Sequence, residues 1–218
     1  MGRPTAMLAD DHTLLVEGLR KLLDPHFEVL AVVPDGRSLV EQAAKLKPDL
    51  ILMDISMPLL NGFDAARKLK KEVPKSKIVF LSVHSDPEFV IEAFKKGARG
   101  YLLKNSAASE LVFSLKEILK GGIYVTPLAA NALVDGIKDP EEARDSLLKR
   151  AGSSLTVRQR EILQLVAEGY SAKEIASALG ISVKTVEYHK KHIMDLLDIH
   201  TVAQLTRYAI SKHIVSLE

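Results

Sequence analysis

The 218-residue chain has no cysteine and no tryptophan. Without cysteine, a disulfide framework, a Cys-ligated zinc site and thiol catalysis are excluded. An excess of one charge is missing as well: 30 Lys+Arg against 28 Asp+Glu leaves +2, which does not announce a nucleic-acid binder. Long apolar runs are absent, and stretches such as Ile78–Val83 fall far below the roughly 18 residues of a membrane span. Met1-Gly2-Arg3-Pro4 leads into no apolar signal segment, and Ala6 stands where a myristoylation motif needs Ser or Thr. The expectation is a soluble, cytoplasmic chain with room for one large or two small domains.

What is present falls into two patterns. Aliphatic runs at Ala6–Ala9, Val29–Val33, Leu50–Met53, Ile78–Leu81 and Tyr101–Leu103 alternate with amphipathic stretches such as Leu14, Leu15, Gly18, Leu19, Leu22 and Leu23. The runs are too short for helices and too continuously apolar for half-exposed strands. Asp86-Pro87-Glu88 reads as a helix start, with an N-cap acid and a proline at the first helical position. Five strands alternating with five helices predict an α/β domain with an open parallel sheet covered on both faces. After Lys120, Gly121-Gly122 stops the last helix and no further strand run follows.

Leu155–Glu218 instead reads as four short helices, three opened by capping boxes (Thr156 with Gln159, Ser171 with Glu174, Thr201 with Gln204) and one capped by Ser182. The expected domains are 1–122, α/β, and 154–218, all-α, joined by a connector over 123–153. Within the connector Pro127–Ile137 reads as helical. Asp139-Pro140-Glu141-Glu142 followed by Lys149-Arg150-Ala151-Gly152 fits either a second helix near Pro140–Arg150 or a charged tether.

In a parallel α/β sheet the carboxyl ends of the strands share one edge, where ligands bind. Asp10-Asp11, Asp54, Ser82 and Lys104 follow four different runs, so three carboxylates, a hydroxyl and an ammonium converge there. Taken singly, each reads as a solvated or capping residue; their joint placement is the signal. Crowded carboxylates repel unless a hard cation lies among them, and oxygen ligands suit Mg²⁺. An aspartate at such a site is a nucleophile toward a phosphoryl group, with Lys and Ser contacting the transferred oxygens. A thiol, a histidine base and a Gly-rich phosphate loop are not expected at this edge, which points away from hydrolases and nucleotide-dependent kinases.

Asp10-Asp11, Asp54-Ile55-Ser56-Met57-Pro58 with Gly62, Ser82, and Gly100-Tyr101-Leu102-Leu103-Lys104 resemble the receiver domain of bacterial response regulators over about Thr5–Gly121. The resemblance implies a flavodoxin-like five-stranded sheet. It implies Asp54 as phosphoacceptor, fed by a sensor histidine kinase or a small phosphodonor, and Mg²⁺ on Asp10, Asp11 and Asp54 with a backbone carbonyl, that of Ile55 or of Ser56. Ser82 and Lys104 would sense the phosphoryl oxygens. Tyr101 matches the family's aromatic switch position, or simply packs in its strand. Ser56 and His84 flank the site at positions tied to acyl-phosphate lifetime, and no second histidine accompanies His84 as a metal partner.

In the helical part, Ile175, Ala176 and Leu179 are read as facing inward, Gly180 as the turn and Ile181 as the corner plug. Val186, Ile193, Leu196 and Leu197 form the buried side of the next helix, with His189 on that side and Lys190 snorkelling beside it. Lys184, Glu187, Tyr188 and Lys191 then face outward. Charge leaves open a generic protein-binding hairpin, since Ala151–Glu218 carries 8 Lys+Arg against 7 Asp+Glu. His189 and His192 stand three apart without a complete ligand set, which favours packing over a metal site.

Leu155–Leu163, Ala172–Ala176 and Ile181–His189 resemble the LuxR-type DNA-binding domain from about Ser154 onward. Together the halves resemble a NarL/FixJ-class regulator. That implies Lys184, Thr185, Glu187, Tyr188 and Lys191 at paired half-sites in double-stranded DNA, and a homodimer formed on phosphorylation. Many members carry Lys at the positions of Glu187 and Leu196, so modest DNA affinity per monomer is expected. An enzyme reading, a phosphatase or phosphate sink, would show steady turnover of a phosphodonor, and the second domain speaks against it. A phosphorylation-independent regulator would lack part of the acid set, which is intact.

Overall fold

A computed structural model of the chain describes residues 2–137, 155–212, 214 and 215. Strands stand where the aliphatic runs place them: β1 (Thr5–Ala9), β2 (Glu28–Val33), β3 (Leu50–Asp54), β4 (Lys77–Ser82) and β5 (Gly100–Leu103). They alternate with α1 (Thr13–Leu23), α2 (Gly36–Leu46), α3 (Gly62–Glu72), α4 (Pro87–Lys95) and α5 (Ala108–Leu119). The sheet has six strands rather than five, in the order β2-β1-β3-β4-β5-β6, all pairs parallel.

The added strand, β6 (Tyr124–Val125), is too short to show a period of its own. Tertiary pairing creates it: Tyr124 donates to the Arg99 carbonyl at 3.1 Å, and Thr126 to the Tyr101 carbonyl at 3.0 Å. Thr126 Oγ1 in turn accepts the Leu103 N–H at 3.1 Å, fastening the end of β5. Helix α6 (Pro127–Ile137) follows as expected, whereas the expected helix at Pro140–Arg150 lies outside the described residues.

Burial explains the strand composition. All five residues of β3 are buried, as a strand covered on both faces requires. The edge strand β2 departs from that expectation: Glu28 and Val32 are exposed, because no neighbour lies beyond it. Helix α1 also differs in detail. Val16 and Leu23 face the core, while Leu14 is 86% exposed, so the leucine pattern overstated the apolar stripe. Ala6, Leu8, Leu52, Val79, Leu81 and Leu102 from the strands pack against Val16, Leu23, Leu111, Leu115 and Ile118 from α1 and α5. Each fully buried Val, Leu or Ile side chain among them contributes about 1.5–3 kcal/mol.

The second compact unit contains α7 (Val157–Ala167), α8 (Ala172–Leu179), α9 (Val183–Leu197) and α10 (Val202–Ser211). The capping boxes of Thr156, Ser171 and Thr201 all form, and Ser182 accepts the Thr185 N–H at 3.1 Å. Such caps satisfy backbone donors that a helix start leaves orphaned. Asp86 occupies the N-cap of α4 with Pro87 inside, but its side chain makes no capping bond. Gly180 ends α8 at φ +62°, the left-handed conformation that glycine adopts without a Cβ penalty. Ile162, Leu163, Ile175, Val186, Ile193 and Leu205 close the core between these helices.

Candidate functional site

Asp10 follows β1, Asp54 ends β3 and Lys104 follows β5, so the parallel register brings three distant residues to one edge. Lys104 Nζ lies 2.7 Å from Asp10 Oδ2 and 2.9 Å from Asp54 Oδ2. All three side chains are nearly enclosed, at 11%, 4% and 7% exposure for Lys104, Asp10 and Asp54. Burial raises the Asp54 pKa above the ordinary carboxylate value; the nearby Lys104 ammonium opposes that shift without cancelling it. For Lys104, desolvation works against the charge, but Asp54 and Asp10 outweigh it and its pKa rises.

Local geometry fixes Asp54. Its Oδ1 accepts the Ile55 N–H at 2.6 Å, and the Ile55 carbonyl accepts the Gly62 N–H at 2.8 Å. A Cβ at Gly62 would fall 2.2 Å from the Asp54 carbonyl oxygen, so this close approach of α3 to the end of β3 requires glycine. Asn61 caps α3 by accepting the Asp64 N–H at 3.0 Å.

Asp10, Asp11, His12 and Asp54 each offer a ligand atom within 4.8 Å of the others. His12 corrects the expectation that no histidine stands at this edge: its Nδ1 lies 2.8 Å from Asp10 Oδ1 and 3.0 Å from Asp11 Oδ1. The bond to Asp10 raises the His12 pKa, with burial and Lys104 opposing. The signal was its place directly after Asp10-Asp11. Asp10 Oδ2 and Asp11 Oδ1 are buried and have charged neighbours, yet accept no aligned hydrogen bond. Oxygen donors left in that state are what a hard divalent cation takes up, so the residues present fit Mg²⁺.

Ser82 is fully buried, and its Oγ accepts the His84 N–H at 3.1 Å. Tyr101 is fully buried as well, and its hydroxyl donates to the His84 carbonyl at 2.8 Å. Desolvation pushes the phenol pKa up to about 12. The His84 ring stacks on Phe89 of α4, with centroids 4.2 Å apart. The loop after β4 is thus held from Ser82, Tyr101 and Phe89 together, and Tyr101 both packs and contacts the loop that flanks the site. Ser56 is half-buried beside Asp54.

On α9, Lys184, Glu187, Tyr188 and Lys191 are exposed and Thr185 is half-buried, while Val186 and Ile193 are fully buried. One detail differs from the sequence reading. Leu196 is 45% exposed instead of buried, because it lies at the edge of the stripe defined by Val186 and Ile193. His192 is exposed, and its Nδ1 lies 3.0 Å from Gln159 Nε2, tying α9 to α7. His189 and Lys190 are half-buried, and Lys190 Nζ reaches to 4.0 Å from Glu187.

The acid-lined strand edge of a parallel α/β domain is thus followed in the chain by a helix-turn-helix, α8 and α9 joined at Gly180. Residues 6–116 match the response regulator receiver domain, and residues 153–209 match the bacterial regulatory proteins of the luxR family. The oxygen regulatory protein NreC of Staphylococcus haemolyticus is 34% identical over 212 residues, covering 96% of this chain and 98% of NreC. The transcriptional regulatory protein DegU of Brevibacillus brevis is 37% identical over 210 residues, covering 91% and 89%. Among solved structures, the RcsB response regulator of Salmonella typhimurium superposes with a TM-score of 0.60 at 26% identity, over 97% of this chain and 98% of that one. A LuxR-family response regulator from Aurantimonas superposes at 0.61 and 28% identity, over 63% of this chain and all of that one. The chain belongs to the NarL/FixJ class of two-component response regulators. It is a transcription regulator with a LuxR-type DNA-binding domain.

Proposed function

We propose that Asp54 accepts a phosphoryl group from a sensor histidine kinase, or from a small phosphodonor, and that this switches DNA binding by the helical domain. The observation that supports the reading best is the buried contact of Lys104 with both Asp54 and Asp10. In the step itself an Asp54 carboxylate oxygen attacks phosphorus, and the bond from phosphorus to the donor's nitrogen or oxygen breaks. The departing atom keeps the electron pair. Lys104 Nζ then serves the new phosphoryl oxygens, and the Ser82 hydroxyl is placed to turn from the His84 N–H toward them. Mg²⁺, when bound, neutralises charge on the transferred group; Asp10, Asp11 and Asp54 would hold it with a backbone carbonyl. Of the two carbonyl candidates, that of Ile55 already accepts from Gly62, which favours that of Ser56.

Phosphorylation adds roughly −1.5 to −2 charges at Asp54, drawing Lys104 away from Asp10. In the resulting state the regulator forms a homodimer and its recognition helix is exposed to promoter half-sites. There Lys184, Thr185 and Lys191 would contact phosphates, while Glu187 and Tyr188 would face base edges; a glutamate accepts from cytosine N4. RcsB has been solved bound to DNA, at 25% identity to this chain.

Intact-mass spectrometry after incubation with acetyl phosphate and Mg²⁺ tests the chemistry. One phosphoryl adduct is expected on the wild type, none on Asp54→Ala, and none with chelator. No adduct from any donor would leave the regulator phosphorylation-independent.

A further inference from the structure

The edge opposite the strand ends carries Lys70, Lys71, Lys75, Lys77, Lys95 and Arg99, with the exposed acids Glu72 and Asp49 among them. Five of the six are exposed and Lys77 is half-buried. They form one surface. The Lys70 side chain crosses from α3 to the turn after α4, where a Cβ at Gly97 would lie 3.1 Å from its Cδ and 3.5 Å from its Nζ. The Arg99 N–H bonds the carbonyl of Ile78, the residue after Lys77, at 2.7 Å. Lys96 is neutralised by Glu92 at 2.7 Å, whereas among the described residues none of these six is in an ion pair; Glu72 lies between Lys71 and Lys75, and Asp49, whose carbonyl accepts the Lys77 N–H at 2.8 Å, has its carboxylate engaged by Thr5.

Part of this has an ordinary cause. Cations in the last turn of a helix complement the macrodipole, which accounts for Lys70, Lys71 and Lys95. Lys75, Lys77 and Arg99 lie in a loop, at a strand start and before a strand, beyond the reach of that effect. Six like charges on one edge repel each other, and a polyanion relieves the repulsion.

Resting on the DNA-binding reading of the helical domain, we infer that this receiver edge also contacts the phosphate backbone of double-stranded DNA. The charge balance favours DNA as the partner. The helical domain, with 8 cations against 7 acids, is nearly neutral, and sequence-independent affinity for DNA comes mainly from neutralised phosphates. The receiver edge supplies the cations that the helical domain lacks.

The test uses the full-length protein, phosphorylated with acetyl phosphate and Mg²⁺, and a nonspecific duplex, with affinity followed across a salt titration. The variant Lys70→Gln/Lys71→Gln/Lys75→Gln/Arg99→Gln keeps the side-chain stems and removes four charges. Each phosphate contact contributes roughly 0.9 to the slope of log K against log salt, so the slope falls by about 3 to 4 in magnitude. A far-UV melt matching the wild type shows that the variant is folded. An unchanged slope overturns the inference. Lys184→Ala, in the helical domain, separates the two readings. If it weakens duplex binding while the quadruple variant does not, the helical domain binds DNA and the receiver edge plays no part. If the wild type binds no duplex, both readings fall. Phosphatidylglycerol vesicles provide the last arm: patch-dependent vesicle binding with an unchanged DNA slope would make this edge a membrane face and overturn the proposal.

Discussion

Gly62→Ala probes the contact that sets Asp54. The new Cβ would lie 2.2 Å from the Asp54 carbonyl oxygen, 3.0 Å from the Ile55 Cα and 3.1 Å from the Asp54 carbonyl carbon. All three are backbone atoms, so no rotamer change relieves the clash. A carbon sits about 3.3 Å or more from a carbonyl oxygen, and the first turn of α3 must retreat by about 1 Å. That retreat also strains the Gly62 N–H bond to Ile55, which spans 2.8 Å. Overpacking costs about 1–3 kcal/mol and the weakened bond about 1 kcal/mol, so the expected loss is ~3 kcal/mol. Gly18→Ala is the matched control. Gly18 lies within α1 with nothing within 4 Å of its added Cβ, and alanine there should stabilise by about 0.5–1 kcal/mol. Hydrogen exchange of receiver peptides across a urea series reads the receiver without interference from the helical domain. The displaced Asp54 should also lose about 10²-fold in phosphoryl uptake from acetyl phosphate, the scale of a 1 Å misplacement. A Gly62→Ala protein with wild-type stability and wild-type uptake would refute the claim that this approach holds the site.

Three further substitutions follow from the same geometry. Because the folded-state pKa of Asp54 is raised, its favourable contribution is present below its unfolded value and lost as pH rises through the folded one. The urea midpoint of the wild type should therefore fall relative to that of Asp54→Asn as pH rises from 4 to 7; a difference independent of pH would contradict the burial argument. Tyr101→Phe leaves the His84 carbonyl without its 2.8 Å donor, costing about 1 kcal/mol and speeding amide exchange after β4. The wild-type phenol, with its pKa near 12, stabilises below the unfolded value of about 10 and loses that contribution between pH 10 and 12, a loss absent from Tyr101→Phe. Glu187→Ala should relax base preference at one half-site position by about 1–3 kcal/mol, measured by competition among single-base operator variants.

The elements most legible in the sequence are those decided by neighbours in the chain. The capping boxes at Thr156, Ser171 and Thr201 need only residues three apart, and all three form. Five strands were visible because burial on both faces writes itself as an unbroken apolar run. The sixth was not, since Tyr124-Val125 becomes a strand only through the Arg99 and Tyr101 carbonyls. Leu14 and Leu196 misled because leucine is a good helix former on either face, and periodicity alone does not locate the edge of a stripe. The acids and Lys104 could be assembled from strand order. What Gly62 does could not, since it depends on a distance between two backbones.

The geometry of Lys104 also shapes how a switch at this site would work. Its ammonium already bridges Asp10 and Asp54, at 2.7 and 2.9 Å, in a nearly dry setting. Removing one partner of a buried pair costs about 3–5 kcal/mol, because the remaining charges lose their compensation. A phosphoryl group at Asp54 therefore does not meet an idle cation; it competes with Asp10 for one that is engaged. The competition is favourable only if the charge given up at Asp10 is taken over by something else, and the oxygens of Asp10 and Asp11 without aligned donors mark where a divalent cation would take it. On this argument Lys104→Ala should harm the metal-free state most, through uncompensated Asp10 and Asp54. Added Mg²⁺ should recover part of that stability, by RT ln(1 + [L]/Kd), or about 2.7 kcal/mol at a hundredfold excess over Kd. Urea midpoints of wild type and Lys104→Ala, each with and without Mg²⁺, measure both terms. A variant that Mg²⁺ rescues no more than it stabilises the wild type would mean that the cation and Lys104 do not share the same carboxylates.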